Sequence, residues 1–252
     1  MNWAIDYASP TGSRHPLTTA GNVCIIPHGG IQGLVGHPTV ETSVVGEVPG
    51  QHIMSTRTPA FRGSVTLHIH HARNVPEVLG WFSAVEYGVL RLTTPTGRAF
   101  SARVRQEQEI TPPEANPGSK GAALVTVPLI CDDGVWWADS QSEGSLGTAA
   151  TATITNTGDV IIYPTLTWST ASTTVLPSGA KLELPKPKRK TRTLNLSHQH
   201  AGIIMNGTTP DLAMSRTVSL IPEGVPPGET RTLTHTGIIT WQIGVWDPWK
   251  ES

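Results

Sequence analysis

Charged residues are scarce in this chain of 252 residues. Lys, Arg, Asp and Glu make up 15% of it, and the formal net charge at pH 7 is −1. The first 144 residues contain nine Lys or Arg against twelve Asp or Glu, a balance of −3, and the remainder has a balance of +2. Charges so few and so evenly balanced provide no general attraction to nucleic acid or to an anionic membrane.

Cysteine and long apolar runs are lacking as well. Cys24 and Cys131 are too few for a disulfide scaffold, and each lies in a short apolar stretch that favours a buried free thiol over a bridge. No apolar run approaches the ~20 residues that a membrane span requires. The first ten residues also lack the basic and apolar segments of a signal peptide. We therefore expect a soluble protein, made in a cytoplasm, with no membrane partner.

Gly and Pro are abundant, with 25 and 21 residues, as is typical of many short strands joined by turns. One segment departs from this pattern. Between Val75 and Val85 the apolar residues fall at helical spacing, Asn74 is a suitable N-cap, and Pro76 suits the first turn. The sequence predicts this helix and no other.

The composition shifts to Ser, Gly and Gln near residues 140–147, which indicates a domain boundary. We therefore predict a mainly β protein of two domains. Residues 1–144 form a β-sandwich with the one helix, and residues 145–252 form a second β-sandwich. Turn signals every 8 to 12 residues support the sandwich assignment of the second domain, where the predicted strands include 216–221, 231–236 and 238–245. In the first domain the predicted strands include 39–48, 51–56 and 62–71, and the last of these places Val65, Leu67 and Ile69 on one face.

The stretch "TITNTGDVIIYPTLTWS", residues 153–169, predicts a strand, a tight turn and a second strand. Asn156 and Gly158 tolerate a positive φ, and Asp159 can bond its own backbone, so the turn is placed there. After it the residues alternate with a period of two. One face carries the more apolar set, Val160, Ile162, Leu166 and Trp168.

Ten histidines raise the question of a metal site. His68 and His70 point the same way on a predicted strand, and His198 and His200 repeat the spacing. Two imidazoles so placed can bind Zn²⁺ or Ni²⁺ if a third ligand arrives from another strand. No Cys or carboxylate partner is evident nearby, so the pattern favours histidines on a polar strand face. Metal binding stays open as the alternative.

Catalytic motifs are lacking. There is no Gly-x-Ser-x-Gly, and the acids after Cys131 would raise its thiol pKa rather than lower it. A glycosidase pair could be drawn from the acids near the domain edge, although acids are common there for solubility. These acids are Asp132, Asp133, Asp139 and Glu143. No Gly-rich phosphate loop is present, so we expect no catalytic residues, no enzymatic activity and no cofactor.

Two further features could support binding. The basic run 186–190 between prolines predicts a solvated hairpin loop, with an anion or nucleic-acid contact as the alternative. Among eight tryptophans, Trp168 and Trp241 lie on apolar strand faces and are predicted to be core. Trp246 and Trp249, in the tail "VWDPW", could be exposed and stack on a sugar. A carbohydrate-binding module that adheres to cell-surface glycans is therefore the alternative function.

The order of these segments is itself informative. The helix segment "NVPEVLGWFSAV" leads into "RLTTPTGRAFSARVRQ" and then "VPLICDDGVWW"; the second half opens with "ITNTGDVIIYPTLTWS" and later carries "IPEGVPPGETRTLTHTG". Most of residues 40–252 resemble the distal tail proteins of long-tailed bacteriophages of the siphophage type, which are baseplate hub components. The matching motifs are Trp136-Trp137, Asn156-Thr157-Gly158-Asp159 with Pro164, and Pro227-Gly228.

The resemblance implies a structural virion protein of the phage tail tip, assembled in the bacterial host cytoplasm. Its first domain would build a hexameric ring, and its second would be a galectin-like β-sandwich on the periphery. The ring would join the tail tube protein to the tail-associated lysin or another tail-tip hub protein. The tape measure protein and then DNA would pass through its channel. The family has no catalytic residues to transfer, and residues 1–38 match it least.

Overall fold

The computed structural model describes residues 3–43, 52–111, 118, 121–188, 190–197, 202–219 and 222–250. The mainly β class predicted from the sequence is confirmed. Backbone contacts divide the chain into two compact units: Met1–Ala138 together with Val245–Ser252, and Asp139–Gly244. These units differ from the predicted ranges in two places, because the second begins at Asp139 and the C-terminal residues belong with the first.

The first unit is built on antiparallel strands. They are β1 (Ala4–Ala8), β2 (Arg14–Pro16), β3 (Cys24–Ile25), β4 (Ile31–Gly33), β5 (Thr39–Ser43), β6 (His52–Arg57), β7 (Phe61–Ile69), β8 (Gly88–Thr93), β9 (Ala99–Gln106), β10 (Ala123–Cys131) and β11 (Trp136–Ala138). The sheet order is β2-β1-β8-β9-β10-β7-β3, with β4 also on β7 and β11 also on β9. β9 pairs with β8 along most of its length and with β10 at Arg105 and Gln106.

Strand β7 shows why the alternation rule succeeds here. Val65, Leu67 and Ile69 are at most 1% exposed, as predicted, while His68 lies on the partly exposed opposite face. β7 pairs with β10 along its whole length, so its register is fixed by many cross-strand partners. Cys24 and Cys131 are buried free thiols, also as predicted.

The predicted helix is present but shorter than expected. Helix α1 spans Val75–Leu79 and follows a short 3₁₀ turn at Ala72–Asn74. Pro76 lies in its first turn, but the Asn74 side chain makes no capping hydrogen bond. The extension to Val85 is wrong, because the Ser83 hydroxyl accepts the amides of Val85 and Glu86 and so starts a new turn.

The second unit contains eight strands and a second helix. They are β12 (Gln141–Thr155), β13 (Thr165–Trp168), β14 (Ser172–Val175), β15 (Lys181–Leu184), β16 (Arg192–Asn195), β17 (Ile204–Asn206), β18 (Thr209–Pro210), α2 (Leu212–Ser215) and β19 (Thr230–Trp241). The order is β15-β14-β19-β13-β16-β17-β18, and β12 pairs with β19. A last short strand, β20 (Gly244–Val245), pairs with β11 where the chain returns to the first unit. A 3₁₀ turn at Pro248–Lys250 follows it.

Three sequence predictions fail in this unit. Helix α2 was not predicted, and residues 216–219, expected to be strand, follow it as turn and coil. The strands expected at 231–236 and 238–245 form one strand, β19, through Gly237. A side chain at Gly237 would lie 2.2 Å from the Thr167 carbonyl oxygen, so glycine permits this close approach. The remainder of the failed strand, 220–221, lies outside the described residues.

Residues 153–169 do not form a hairpin. β12 and β13 each pair with β19 instead of with each other. Neither Asn156 nor Gly158 has a positive φ. Asn156 is fully buried, and its side-chain amide donates to the carbonyls of Val160 at 2.8 Å and Val225 at 2.7 Å. A Cβ at Gly158 would lie 2.3 Å from the Gly244 oxygen, so glycine is needed there for close packing rather than for φ.

Candidate interaction surfaces

Strands β5 and β6 form a hairpin that exposes large apolar side chains. Among the described residues these strands pair only with each other. Ile53 and Met54 are each 69% exposed, and Val40 is 44% exposed. Glu41 holds the ladder together by accepting from Ser55 at 2.7 Å and pairing with Arg57 at 3.1 Å. We call Val40, Ile53 and Met54 the apolar hairpin face.

Sequence reasoning missed the apolar hairpin face. It predicted both strands but assigned no role to their side chains. The signal was the adjacent apolar pair Ile53-Met54. The β5–β6 ladder shifts register here, since Glu41 pairs with Ser55 and Thr42 with Ile53, so Met54 is an extra residue in β6 and the strict alternation of side chains is interrupted. An isolated two-stranded hairpin is at best marginally stable in water, and exposed apolar patches mark interaction sites.

A second exposed cluster surrounds Tyr87. Its hydroxyl donates to Asp132 at 2.7 Å, and Arg105 contacts the same carboxylate at 2.7 and 3.1 Å. The Arg103 guanidinium lies 4.5 Å from the centre of the Tyr87 ring. The Arg105 and Tyr87 hydrogen bonds lower the pKa of Asp132, and the bond to Asp132 raises the pKa of Tyr87. Asp132 is therefore held ionised, the opposite of what a general acid needs.

The pair His68 and His70 acquires no third ligand within the described residues. The rings of His68 and His70 lie 5.4 Å apart between centroids in a T-shaped contact. No group of three or more His, Cys, Asp or Glu side chains in the described part of the chain could hold a metal ion. His198 and His200 lie outside the described residues.

A buried histidine in the second unit superficially resembles a catalytic base. His235 Nδ1 lies 2.8 Å from the Thr174 hydroxyl and 3.2 Å from the Ser172 hydroxyl, and Nε2 lies 3.2 Å from the Thr167 carbonyl oxygen. Burial lowers its pKa. His235 is fully buried and Ser172 is 5% exposed, so neither could meet a substrate. The neutral ring joins β19 to β13 and β14.

One of the four tryptophans considered above, Trp241, is placed differently from the prediction. Trp168 is fully buried, as expected, but Trp241 is partly exposed. Trp246 and Trp249 are also partly exposed, and both lie in the segment that packs with the first unit. The Trp249 ring lies 5.2 Å from that of Trp3, tilted by 48°.

Trp249 also lines an apolar groove of about 320 Å³ in the first unit. Ile26, Pro27, Ile31 and Val35 form most of the remaining lining. The Trp246 carbonyl accepts from the Gly36 amide at 2.9 Å, which ties the tail to this region. The two candidate sugar contacts therefore do not belong to the second sandwich. Carbohydrate binding by them stays a prediction.

No helix in the described residues is long and apolar enough to cross a membrane. No family model matches the sequence, and no curated protein matches it. The fold, in contrast, is similar to solved structures of a phage hub protein and of a phage baseplate.

The Dit protein of phage SPP1, described as a paradigm of the hub adsorption apparatus in phages that infect Gram-positive bacteria, superposes with a TM-score of 0.64 at 14% identity. The match covers 97% of this chain and 99% of that one. A chain of the phage P2 baseplate in its activated conformation with Ca gives 0.51 at 8% identity, covering 95% and 98%. The same baseplate with Sr gives 0.50 at 9% identity, covering 93% and 98%. The resemblance to distal tail proteins is thus confirmed as a likeness of fold.

Proposed function

We propose that this chain is a structural subunit of a phage tail tip, a distal tail hub protein that assembles into a hexameric ring. The observation that carries the proposal is the extent of the fold likeness, since the SPP1 Dit superposition covers 97% of this chain and 99% of that one. A likeness spanning both units excludes chance agreement of one common β-sandwich. The second unit would form the galectin-like periphery.

The apolar hairpin face supports assembly with a neighbour. Burying Ile53 and Met54 against another subunit would stabilise the ring by about 1.5–3 kcal/mol for each side chain. In a closed ring every subunit presents its hairpin to the next, so no apolar surface stays open. The ring would contact the tail tube protein on one side and the tail-associated lysin or another tail-tip protein on the other. The tape measure protein and DNA would pass through its channel, and the virion would be its location.

The proposed role includes no enzymatic activity. Asp132 is one of the acids that were considered for a glycosidase pair. Its carboxylate is held ionised by hydrogen bonds from Arg105 and Tyr87. The Ser172–His235 pair is buried. A purely structural role requires neither an acid catalyst at Asp132 nor an accessible Ser172–His235 pair.

The proposal is tested by the mass of the full-length protein. Native mass spectrometry and sedimentation should give a hexamer, and negative-stain images should show rings with a central opening. A protein that is folded by circular dichroism yet monomeric at about 100 µM would exclude an intrinsic ring-former. The 100 µM limit corresponds to an association weaker than about −5.5 kcal/mol.

A further inference from the structure

One asparagine of this chain is followed by glycine. The asparagines are Asn2, Asn22, Asn74, Asn116, Asn156, Asn195 and Asn206, and Gly207 follows the last of them. Glycine has no side chain to shield its backbone nitrogen, so that nitrogen can approach the carboxamide of the preceding residue. In an Asn-Gly pair the asparagine amide is therefore open to attack by its own main chain.

This pair lies at an exposed turn of the second unit. Asn206 ends β17 and pairs with Thr209 in β18, so Gly207 and Thr208 form the connection. Gly207 has a φ of 63°, and a Cβ at this position would meet no atom within 4 Å. The Gly207 amide donates no backbone hydrogen bond within the described residues. The attacking nitrogen is thus accessible and not held by an acceptor.

A buried arginine holds the carbonyl that would be attacked. Arg192 Nη1 donates to Asn206 Oδ1 at 3.1 Å, and Nε of the same guanidinium donates to Asp211 Oδ2 at 2.9 Å. The Arg192 side chain is 8% exposed, so its charge is poorly screened by water. A cation bonded to a carbonyl oxygen stabilises the negative charge that develops there when a nucleophile adds to the carbon. The position of Arg192 therefore activates the Asn206 carboxamide.

The other asparagines of the described residues lack this combination. Asn156 is fully buried, and its amide nitrogen donates to two carbonyl oxygens. The amide nitrogen of Asn22 likewise donates to the carbonyls of Pro16 and Thr19. Asn22, Asn74, Asn156 and Asn195 each precede a residue with a branched side chain, which crowds the nitrogen that would attack; these residues are Val23, Val75, Thr157 and Leu196.

We propose that Asn206 is a site of spontaneous deamidation, with water as the co-reactant and Arg192 as the group that activates the carbonyl. The Gly207 nitrogen loses its proton to solvent and bonds to Cγ of Asn206, while the carbonyl electrons move to Oδ1 beside Arg192. When these electrons return, Nδ2 takes a proton from water and leaves as ammonia, and a cyclic imide remains. Water then opens the ring at either carbonyl, which yields aspartate or isoaspartate at position 206.

The two products differ in their effect on the hairpin. Aspartate keeps the main chain and adds a negative charge beside Arg192, whose planar fork of donors suits carboxylates. Isoaspartate runs the main chain through the former side chain and so adds a methylene group between β17 and β18. That insertion disturbs the pairing of Asn206 with Thr209 at the end of the sheet. With age, the second unit would gain negative charge, and part of the molecules would lose this strand pair.

The site is tested by peptide mass mapping of the full-length protein during incubation at mildly alkaline pH. Deamidation replaces an NH₂ group with OH, so the mass should rise in the peptide that contains Asn206. An isoaspartyl methyltransferase should label the same peptide. Asn206→Gln keeps an amide that Arg192 can bond but would have to close a larger ring, so both signals should disappear. No mass gain at Asn206, or an equal gain at Asn22 and Asn74, would overturn the proposal.

The part played by Arg192 is tested by the rate. Arg192→Lys keeps the charge but loses the fork that reaches both Asn206 and Asp211. Deamidation should slow about tenfold, as for one charged hydrogen bond weakened in the transition state. The native protein gives a second comparison, which holds even if this variant does not fold. Folded, it should react within about tenfold of the same chain unfolded in guanidinium chloride, because Arg192 offsets the cost of distorting the turn.

An unchanged rate in a folded Arg192→Lys protein would exclude activation by Arg192. A native protein that reacts more than about a hundredfold slower when folded than when unfolded would exclude it as well. Hydrogen exchange then separates the products. Backbone amides of residues 204–210 should exchange faster in the isoaspartate fraction than in fresh protein, whereas Asn206→Asp should match fresh protein. Unchanged exchange in the isoaspartate fraction would contradict the loss of the β17–β18 pair.

Discussion

Each unit exposes an antiparallel strand pair, β5 with β6 in the first unit and β12 with β19 in the second, and these two ribbons carry different side chains. The first ribbon is a separate two-stranded sheet, whereas the second is the edge of a larger sheet. β6 in the first unit exposes Ile53 and Met54 at 69% each. β12 in the second unit exposes every residue of its first half, 141–149, but that stretch is mostly Gln, Ser, Gly, Thr and Ala. Leu146, 44% exposed, is its one large apolar side chain. A ribbon of small polar residues is compatible with water, whereas the apolar hairpin face is adapted to being covered.

The largest expected effect separates these two ribbons. Replacing Ile53 and Met54 together by Asp should convert the hexamer to monomers, because two charges cannot be buried against an apolar neighbour without a large desolvation cost. Leu146→Asp, at the matching ribbon of the second unit, should leave the hexamer intact. Sedimentation velocity of the three proteins at one concentration measures both outcomes. If only Leu146→Asp dissociated the hexamer, the contact between subunits would lie on the second unit, and the role proposed for the apolar hairpin face would be wrong.

The ribbons also show what a sequence can predict. The buried faces of β7 and β13 follow from local alternation, since one side of each strand packs on a core. The apparent hairpin at 153–169 fails because both strands pair with β19, some 70 residues further along. Local turn residues do not specify such distant partners.

The same limit applies to the C-terminal tail and to the candidate sites. Nothing near Trp246 indicates that its carbonyl would accept from Gly36, in the first unit. A fragment that ends at the predicted boundary would lack this segment, so assembly is better tested on the whole chain. The Tyr87–Asp132–Arg105 cluster likewise joins three separate strands and turns. Each of the three residues can be read in the sequence, but the sequence does not indicate that the fold brings them together.

The next effect concerns stability, and it compares one buried polar side chain from each unit. His235→Ala should lower the free energy of unfolding by about 2–4 kcal/mol, since it leaves a cavity and removes partners from Thr174 and Thr167. In the first unit, Trp136 is 1% exposed and donates to the Leu34 carbonyl at 2.8 Å. Trp136→Phe should cost about 1–3 kcal/mol, because that carbonyl stays buried without its donor. Urea unfolding measures the free energy of unfolding of both variants. A larger loss for Trp136→Phe than for His235→Ala would contradict the expected order.

A smaller effect depends on pH. Burial lowers the pKa of His235 below its usual 6.5, so the unfolded chain takes up a proton more readily than the folded one. The contribution of His235 to the free energy of unfolding is complete above about pH 6.5. It is lost as the pH falls toward the pKa of the folded state, by up to about 1.4 kcal/mol per pH unit. The carboxyl pKa values of Asp132 and Asp211 are lowered, so their contributions are lost only near pH 4 and below.

Two variants assign this pH dependence to a unit. His235→Gln should be less stable at pH 7.5 but should lose the decline between pH 6.5 and 5. The pKa of His15, which stacks on Trp81 in the first unit, is also lowered by burial and acts in the same direction. His15→Gln measures how much of the loss of stability at acid pH comes from His15. If His235→Gln keeps the full decline, the acid sensitivity lies elsewhere.

The smallest effect is expected at the most elaborate surface cluster. Asp132→Asn removes the charge that Arg105 and Tyr87 share. The three side chains are 30% to 38% exposed, and ion pairs that are open to solvent contribute little to stability. The urea midpoint should therefore match that of the native protein within error. Hydrolysis of cell-wall glycans should be undetectable in both proteins, since the carboxyl is ionised and bonded rather than available as an acid. Robust hydrolysis that disappears in Asp132→Asn would replace the structural role with an enzymatic one. A large drop in the urea midpoint would instead show that Asp132 supports the first unit more strongly than its exposure indicates.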